Sequence, residues 1–262
     1  MGLSGLCLMV TAVLAGGCAS SPRIERRAVA PKPPPFLSGP VSVLLTNVDG
    51  FGAHVVMETR VFADRVETVS GKLLGRGNKL LFAPESNVSA GKSRGGGDAS
   101  FIWDVAENSG YVLNEPLQGY APMISNVRFT NLVVRPRMVH SAPEKVEGHS
   151  CEQEEVVVTS SDGSVVTFRV WRAADLKGFP VLINLATNST PPTLSFSQIH
   201  LETPADKLFL PPDGFAKYDS VETMLNELAA RQQFLKHGKP QQGTGETQRV
   251  GGREGSRYRG GQ

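Results

Sequence analysis

Neither sign of charge is in much excess. Lys and Arg number 27 against 25 Asp and Glu, a net charge of +2, and charged residues make up only 20% of the chain. That balance gives no strong electrostatic draw toward nucleic acid or an anionic membrane, so recognition must come from shape or local chemistry. The catalytic signatures Gly-x-Ser-x-Gly and His-Glu-x-x-His are absent. Lys and Arg are missing altogether from Met1 to Pro22, whereas an ordinary export signal begins with positive charge. Helical periodicity is missing until the stretch that starts near Asp219.

What stands at the start is an apolar run, Leu6 to Leu14, followed by Leu14-Ala15-Gly16-Gly17-Cys18. The small residues before a cysteine resemble a bacterial lipobox, which makes residues 1–17 a signal peptide and Cys18 the site of lipid attachment. A diacylglycerol on Cys18 with an N-acyl chain such as palmitate anchors firmly, since each buried methylene contributes roughly 0.8 kcal/mol and one chain alone is marginal. The alternative is an uncleaved apolar anchor, for which Arg23, Arg26 and Arg27 would favour a cytoplasmic body. Gly16-Gly17 ends the run short of the roughly 20 residues a spanning helix needs, which favours the lipobox. Ala19 rather than Asp follows the cysteine, and the resemblance to enteric sorting then implies the outer membrane, facing the periplasm.

With Cys7 removed and Cys18 acylated, Cys151 is the single free thiol and no intrachain disulfide can form. The body must rely on an apolar core, which 40% hydrophobic residues can supply. Residues 18–39 hold Pro22, Pro31, Pro33, Pro34 and Pro35, and read as a lipidated tether of up to roughly 60 Å if polyproline-like. Residues 238–262 hold eight glycines with only Val250 and Tyr258 as larger apolar residues, too few to offset ordering entropy, so a disordered tail is expected. Arg249, Arg253, Arg257 and Arg259 are read as solvated rather than as a nucleic-acid tail. One folded domain, residues 40–237, remains.

Within it, short β-type runs alternate with turn residues, the pattern of a mainly antiparallel sheet. Val55, Met57, Thr59 and Val61 share one strand face against His54, Glu58 and Arg60. Hairpins are expected at Leu73 to Phe82 around Arg76-Gly77-Asn78, at Phe101 to Leu113 around Asn108-Ser109-Gly110, and at Val156 to Trp171 around Ser161-Asp162-Gly163. Pro180 to Leu185 and Thr193 to Leu201 add two strands. In the last, Leu194 and Phe196 share one parity while Ile199 and Leu201 share the other, which predicts a β-bulge near Ser197-Gln198. A helix follows, capped by Asp219 or Ser220 with Glu222 as capping-box partner of Asp219; Val221, Met224, Leu225, Leu228 and Leu235 form its packing stripe and Lys236-His237-Gly238 its end.

Motifs with chemistry fall to simpler readings. Ser86 to Ser93 ends in Gly-Lys-Ser but begins with Ser where a phosphate loop needs glycine, and Arg94-Gly95-Gly96-Gly97 continues the loop where a helix should start. Ser89-Ala90-Gly91-Lys92 has the Ser-x-x-Lys spacing without its companions, with only Ser161-Asp162-Gly163 as an echo. His149 and Cys151 can face one way on a strand but make two zinc ligands where three or four are needed, and His140 is not fixed nearby. Cys151 reads as a buried small side chain. Glu152, Glu154 and Glu155 read as a solvated strand edge. No metal, cofactor or catalytic set is expected.

From about Val66 to Tyr218 the order of pieces resembles the LolA-like half-barrel families. Gly71-x-Leu73 leads into Lys79-Leu80-Leu81-Phe82, and Val146-Glu147-Gly148-His149-Ser150-Cys151-Glu152 resembles their Gly-x-x-Cys strand opening. Asp175-Leu176-Lys177-Gly178-Phe179-Pro180 resembles an Asp-Leu-Gly-x-Pro corner, and Pro204 to Phe209 with Pro212-x-Gly214-Phe215 a closing segment. The resemblance implies a mainly β (α+β) fold: a curved antiparallel sheet, a half-barrel, with a C-terminal helix. It further implies a hydrophobic cavity for acyl chains or lipoproteins. The polar Gly91 to Gly97 insertion and the helix after Asp219 depart from the pattern. No binding residue transfers individually, so Met57, Phe101, Trp103, Tyr111 and Phe168 are nominated as groove lining from their place in strands, with Trp171 as a further aromatic. The expected function is that of a non-catalytic, membrane-anchored envelope lipoprotein binding a lipid or acyl ligand. The alternative is an envelope protein–protein interaction module without a cavity.

Overall fold

The computed structural model describes residues 31–46, 48–62, 65–85, 99–125, 132–139, 142–186 and 192–236. The lipobox with Cys18, His140, the loop from Ser86 to Gly97 and the tail 238–262 lie outside the described residues.

Thirteen strands are found among the described residues: β1 (Gly50–Phe62), β2 (Arg65–Arg76), β3 (Lys79–Pro84), β4 (Ala99–Asp104), β5 (Ser109–Asn114), β6 (Gly119–Ile124), β7 (Val133–Met138), β8 (Glu144–Val146), β9 (His149–Thr159), β10 (Val165–Ala173), β11 (Phe179–Leu185), β12 (Thr193–His200) and β13 (Ala216–Lys217). A short helix α1 (Pro35–Ser38) and a 3₁₀ turn (Pro40–Leu45) precede them, and α2 (Val221–Lys236) follows. The spatial order is β13-β6-β5-β4-β3-β2-β1-β12-β11-β10-β9-β7, with β8 also on β9. Every pairing is antiparallel except the two-residue β13 against β6. The fold class is the expected one: mainly β, an antiparallel sheet that does not close on itself, with a C-terminal helix.

The hairpin of β2 and β3 turns at Gly77, whose φ of 55° suits glycine. That of β9 and β10 turns through Ser161 to Ser164, where Asp162 accepts from Ser160 Oγ and from Ser164 N–H. The third hairpin departs from expectation. Its turn falls at residues 105–108, closed by Asp104 accepting from Ala106 and Glu107 N–H, and Trp103 pairs with Gly110.

The predicted bulge is present. His54 pairs with Ser197 and Gly52 with His200, so β12 carries an extra residue there, and Gln198 takes the left-handed conformation at φ 51°. A bulge of this kind bends its strand and sharpens local twist.

One face of the sheet carries the main core. Ala53, Val55, Leu73, Leu80, Phe82, Val156, Val158, Phe168, Val170 and Phe196 alternate inward from their strands and are buried together. Phe51 reaches across to its partner Gly75, where any Cβ would collide with the ring, and it also stacks on Phe179, which meets Phe196 edge-on. The cover over this face comes from an unexpected source. Phe36, Leu37, Leu44 and Leu45, from α1 and the 3₁₀ turn, are at most 2% exposed, and the Phe36 ring meets Phe82 edge-on at 5.0 Å. Phe36 and Leu37, which fall inside the span 18–39 expected as a tether, are thus core residues: two large apolar side chains directly after the prolines find a core to enter.

The opposite face is partly covered as well. After β12 the chain returns across it, burying Phe209 against Ile102 and Leu113. The helix α2 is capped by Ser220, one of the two expected caps, whose Oγ accepts from Thr223 N–H at 3.1 Å. Met224 and Leu225 are buried and Val221 and Leu228 half-buried, whereas Leu235 is 83% exposed; the expected stripe packs over the first turns only.

Candidate functional site

The nominated groove residues divide between the two faces. Phe101, Trp103 and Phe168 lie on the inner face at 5% exposure or less, and Met57 packs against them half-buried. Tyr111 does not join them. It is the cross-strand partner of Ile102, faces the outer side, and meets Tyr120 edge-on at 5.6 Å. Trp171 is also on an outer patch, its indole Nε1–H donating to Glu144 at 3.0 Å.

Within the inner core Trp103 is 1% exposed, and its indole Nε1–H has no hydrogen-bond acceptor among the described residues. Such a donor carries a desolvation penalty of about 1–3 kcal/mol relative to a bonded one. The side chains that share its cluster are apolar. The segment Pro35–Leu45 packs into the same core, and along it Leu37 N–H donates to Pro34 O, Ser42 N–H and Oγ–H to Gly39 O, and Thr46 Oγ1–H to Val43 O. Its Phe36, Leu37, Leu44 and Leu45 side chains are buried in that packing.

The other sequence candidates resolve clearly. Cys151 is buried, and that burial pushes its thiol pKa up, which disfavours the nucleophilic thiolate. His149 points to Asp175, Nδ1 to Oδ2 at 2.7 Å, and this hydrogen bond holds the Asp175 carboxyl below its usual range. Among the described residues no three His, Cys, Asp or Glu side chains gather as a metal site.

The acidic triplet is not a solvated edge. β9 is flanked by β10 on one side and by β7 and β8 on the other, and Glu154 shares the inward parity of Val156 and Val158. Glu154 is 8% exposed and is paired with the Arg172 guanidinium, which also donates Nη1–H to Gly178 O at 3.0 Å. Glu152 is exposed, as expected.

A recess of about 510 Å³ lies on the outer face beside the bulge. Its polar lining includes His54, Lys72, Glu85, Gln198, His200 and Glu202, over an apolar floor that includes Leu74, Pro204 and Leu208. None of these was singled out as a site residue in the sequence. The available signals were His54 on the polar parity of its strand and the parity slip at Ser197-Gln198.

No family model matches this chain, and no curated protein matches it. Among solved structures it is similar to PNGF-II, at 12% identity and a TM-score of 0.38 over 68% of this chain, and it spans 33% of that protein's length. It is similar to a LolA superfamily protein from Nitrosomonas europaea, at 13% identity and a TM-score of 0.36 over 65% of this chain and 94% of that one. The lipoprotein LppX of Mycobacterium tuberculosis is matched at 13% identity and a TM-score of 0.35, over 66% of this chain and 100% of LppX. Each likeness is partial. No helix among the described residues is long and apolar enough to cross a membrane.

Proposed function

We propose that this chain is an envelope lipoprotein, anchored through an acylated Cys18, whose sheet binds an acyl ligand against its inner face. The observation that carries the ligand reading is the Trp103 Nε1–H, a donor buried among the apolar side chains of the inner core with no acceptor among the described residues. An acyl chain would replace the side chains of Phe36, Leu37, Leu44 and Leu45, and its carbonyl or carboxylate would accept from the indole. Buried polar donors without partners are uncommon in native cores, and a ligand acceptor would remove the penalty. The anchor reading rests on Leu14 to Cys18 and on the proline-rich residues that follow.

Native mass spectrometry of gently extracted protein tests the ligand: a bound acyl species is expected, and its loss in Trp103→Phe supports the indole contact. Protein that is always ligand-free and takes up no fatty acid would sink the reading. For the anchor, Cys18→Ala should abolish fatty-acid labelling and release the protein to the soluble fraction. Membrane retention without label would point to the uncleaved helix.

The edge strand β7 favours a second reading as an interaction module. All six of its residues are exposed, Val133, Val134 and Met138 among them, and in the described sheet only β9 pairs with it. Open edges of this kind accept further strands. Crosslinking that traps one protein partner in the absence of lipid binding would favour this reading.

A further inference from the structure

The bulge in β12 sets three chemically complementary side chains in line on the outer face. Ser197 lies directly across from His54 in the β1–β12 register, and its Oγ is 3.5 Å from His54 Nδ1. The other ring nitrogen, Nε2, is 3.0 Å from Glu85 Oε2. With Nε2–H donating to the carboxylate, Nδ1 is left as the acceptor, facing the Ser197 hydroxyl. This is the order that activates a serine: a nucleophile beside a base, and the base oriented by a third group. The Ser–His distance is long for an O–H···N bond, as such bonds commonly are before substrate is bound.

The surroundings fit the same chemistry. His54 and Glu85 line the recess of about 510 Å³, within the range of small-ligand sites. Lys72, the cross-strand partner of His54 in β2, lines it too and places a cation beside the base. The next residue after Ser197, Gln198, is held at φ 51°, and among the described residues β11 pairs with β12 only as far as Ser195, so the bulge lies beyond that ladder. Strained backbone at a bulge is a recurrent way to aim a side chain out of a strand. Ser197 itself stands next to His54 and outside the lining of the recess, whose floor of Leu74, Pro204 and Leu208 is apolar.

The geometry points to an ester-hydrolysing site with Ser197 as nucleophile, His54 as general base and Glu85 as the positioning residue. In the first step Ser197 Oγ bonds to the carbonyl carbon of a short-chain carboxylic ester while its proton passes to His54 Nδ1. The C–O bond to the alcohol breaks, and the alcohol leaves with that proton. Water then attacks the acyl-serine, His54 takes and returns its proton, and the free acid departs. Ester and water give acid and alcohol, with no redox change.

The full chain should hydrolyse p-nitrophenyl butyrate and be modified at Ser197 by a fluorophosphonate. Ser197→Ala and His54→Asn should each lower turnover at least on the order of 100-fold, the size expected for losing an activated nucleophile or its base. Glu85→Gln should lower kcat with KM unchanged, the signature of a group that acts through His54 rather than on the substrate. Thermal melts of the variants, which alter outer-face side chains, check that each is folded. Absence of fluorophosphonate on Ser197, or turnover that survives Ser197→Ala in folded protein, would overturn the assignment. Neither readout depends on whether an acyl chain occupies the inner face.

Discussion

Replacing Phe36 with Ala tests whether the segment after the prolines belongs to the core. The ring is 1% exposed and meets Phe82, itself buried, edge-on at 5.0 Å. Truncating a buried Phe costs about 3–5 kcal/mol, because the transfer energy of the ring is lost and the cavity left behind relaxes only in part. Within that total the aromatic pair itself accounts for about 0.5–1.5 kcal/mol. For a folded body of this size each kcal/mol lowers Tm by about 2–4 °C, so the expected fall is about 6–20 °C. Urea unfolding followed by far-ultraviolet circular dichroism should show an earlier midpoint with little change in slope. The same variant removes part of the cover of the inner core, so uptake of a fatty acid should rise even as the ligand-free protein weakens. Wild-type stability to within about 0.5 kcal/mol, the range of a surface substitution, would refute the reasoning, because Pro35–Leu45 would then be a loose tether.

Three further outcomes follow from the same geometry. Arg172→Met leaves Glu154 without its guanidinium on the inward parity of β9, and about 3 kcal/mol should be lost, the low end of the range for breaking a buried pair because Arg172 is about one-fifth exposed; adding Glu154→Leu should recover most of it, and a double variant no better than the single would count against burial as the cause. The Asp162 carboxyl is lowered to about 2, first by the Ser160 hydroxyl and then by Ser164 N–H, so its contribution is present above the unfolded value near 3.9 and is lost as pH falls through about 2. Its side-chain carbonyl NMR titration should therefore have a midpoint near 2 and move upward in Ser160→Ala, and a wild-type midpoint near 4 would contradict the turn geometry. Cys151 is buried with its thiol pKa raised, so iodoacetamide should label it slowly in the native protein and rapidly in urea; fast native labelling would mean that the outer patch around it opens.

How far the sequence could be read depended on whether the deciding interaction was local. The hairpin at Gly77 and the bulge at Gln198 were legible because turn chemistry and strand parity act within a few residues. Glu154 was legible by the same rule, since it shares parity with Val156 and Val158, but its charge drew the reading toward solvent. In the β4–β5 hairpin the error is one of register. A turn centred on Ser109 pairs residues of equal parity and puts Trp103 and Tyr111 on one face, whereas the observed pairing of Trp103 with Gly110 puts odd positions opposite even ones and sends Tyr111 outward. Phe36 and Leu37 follow a proline run whose composition describes the chain before them and says nothing about Phe82, far along the sequence, on which they pack. The same limit hides the outer recess most completely. Ser197 and His54 are separated by 143 positions, and Glu85 by 31 from His54, so no spacing rule joins them. Glu85 arrives at the end of β3 beside Ser70 of β2, and Ser197 is brought to His54 by the register of β1 on β12, which passes through the one bulge the sequence did announce.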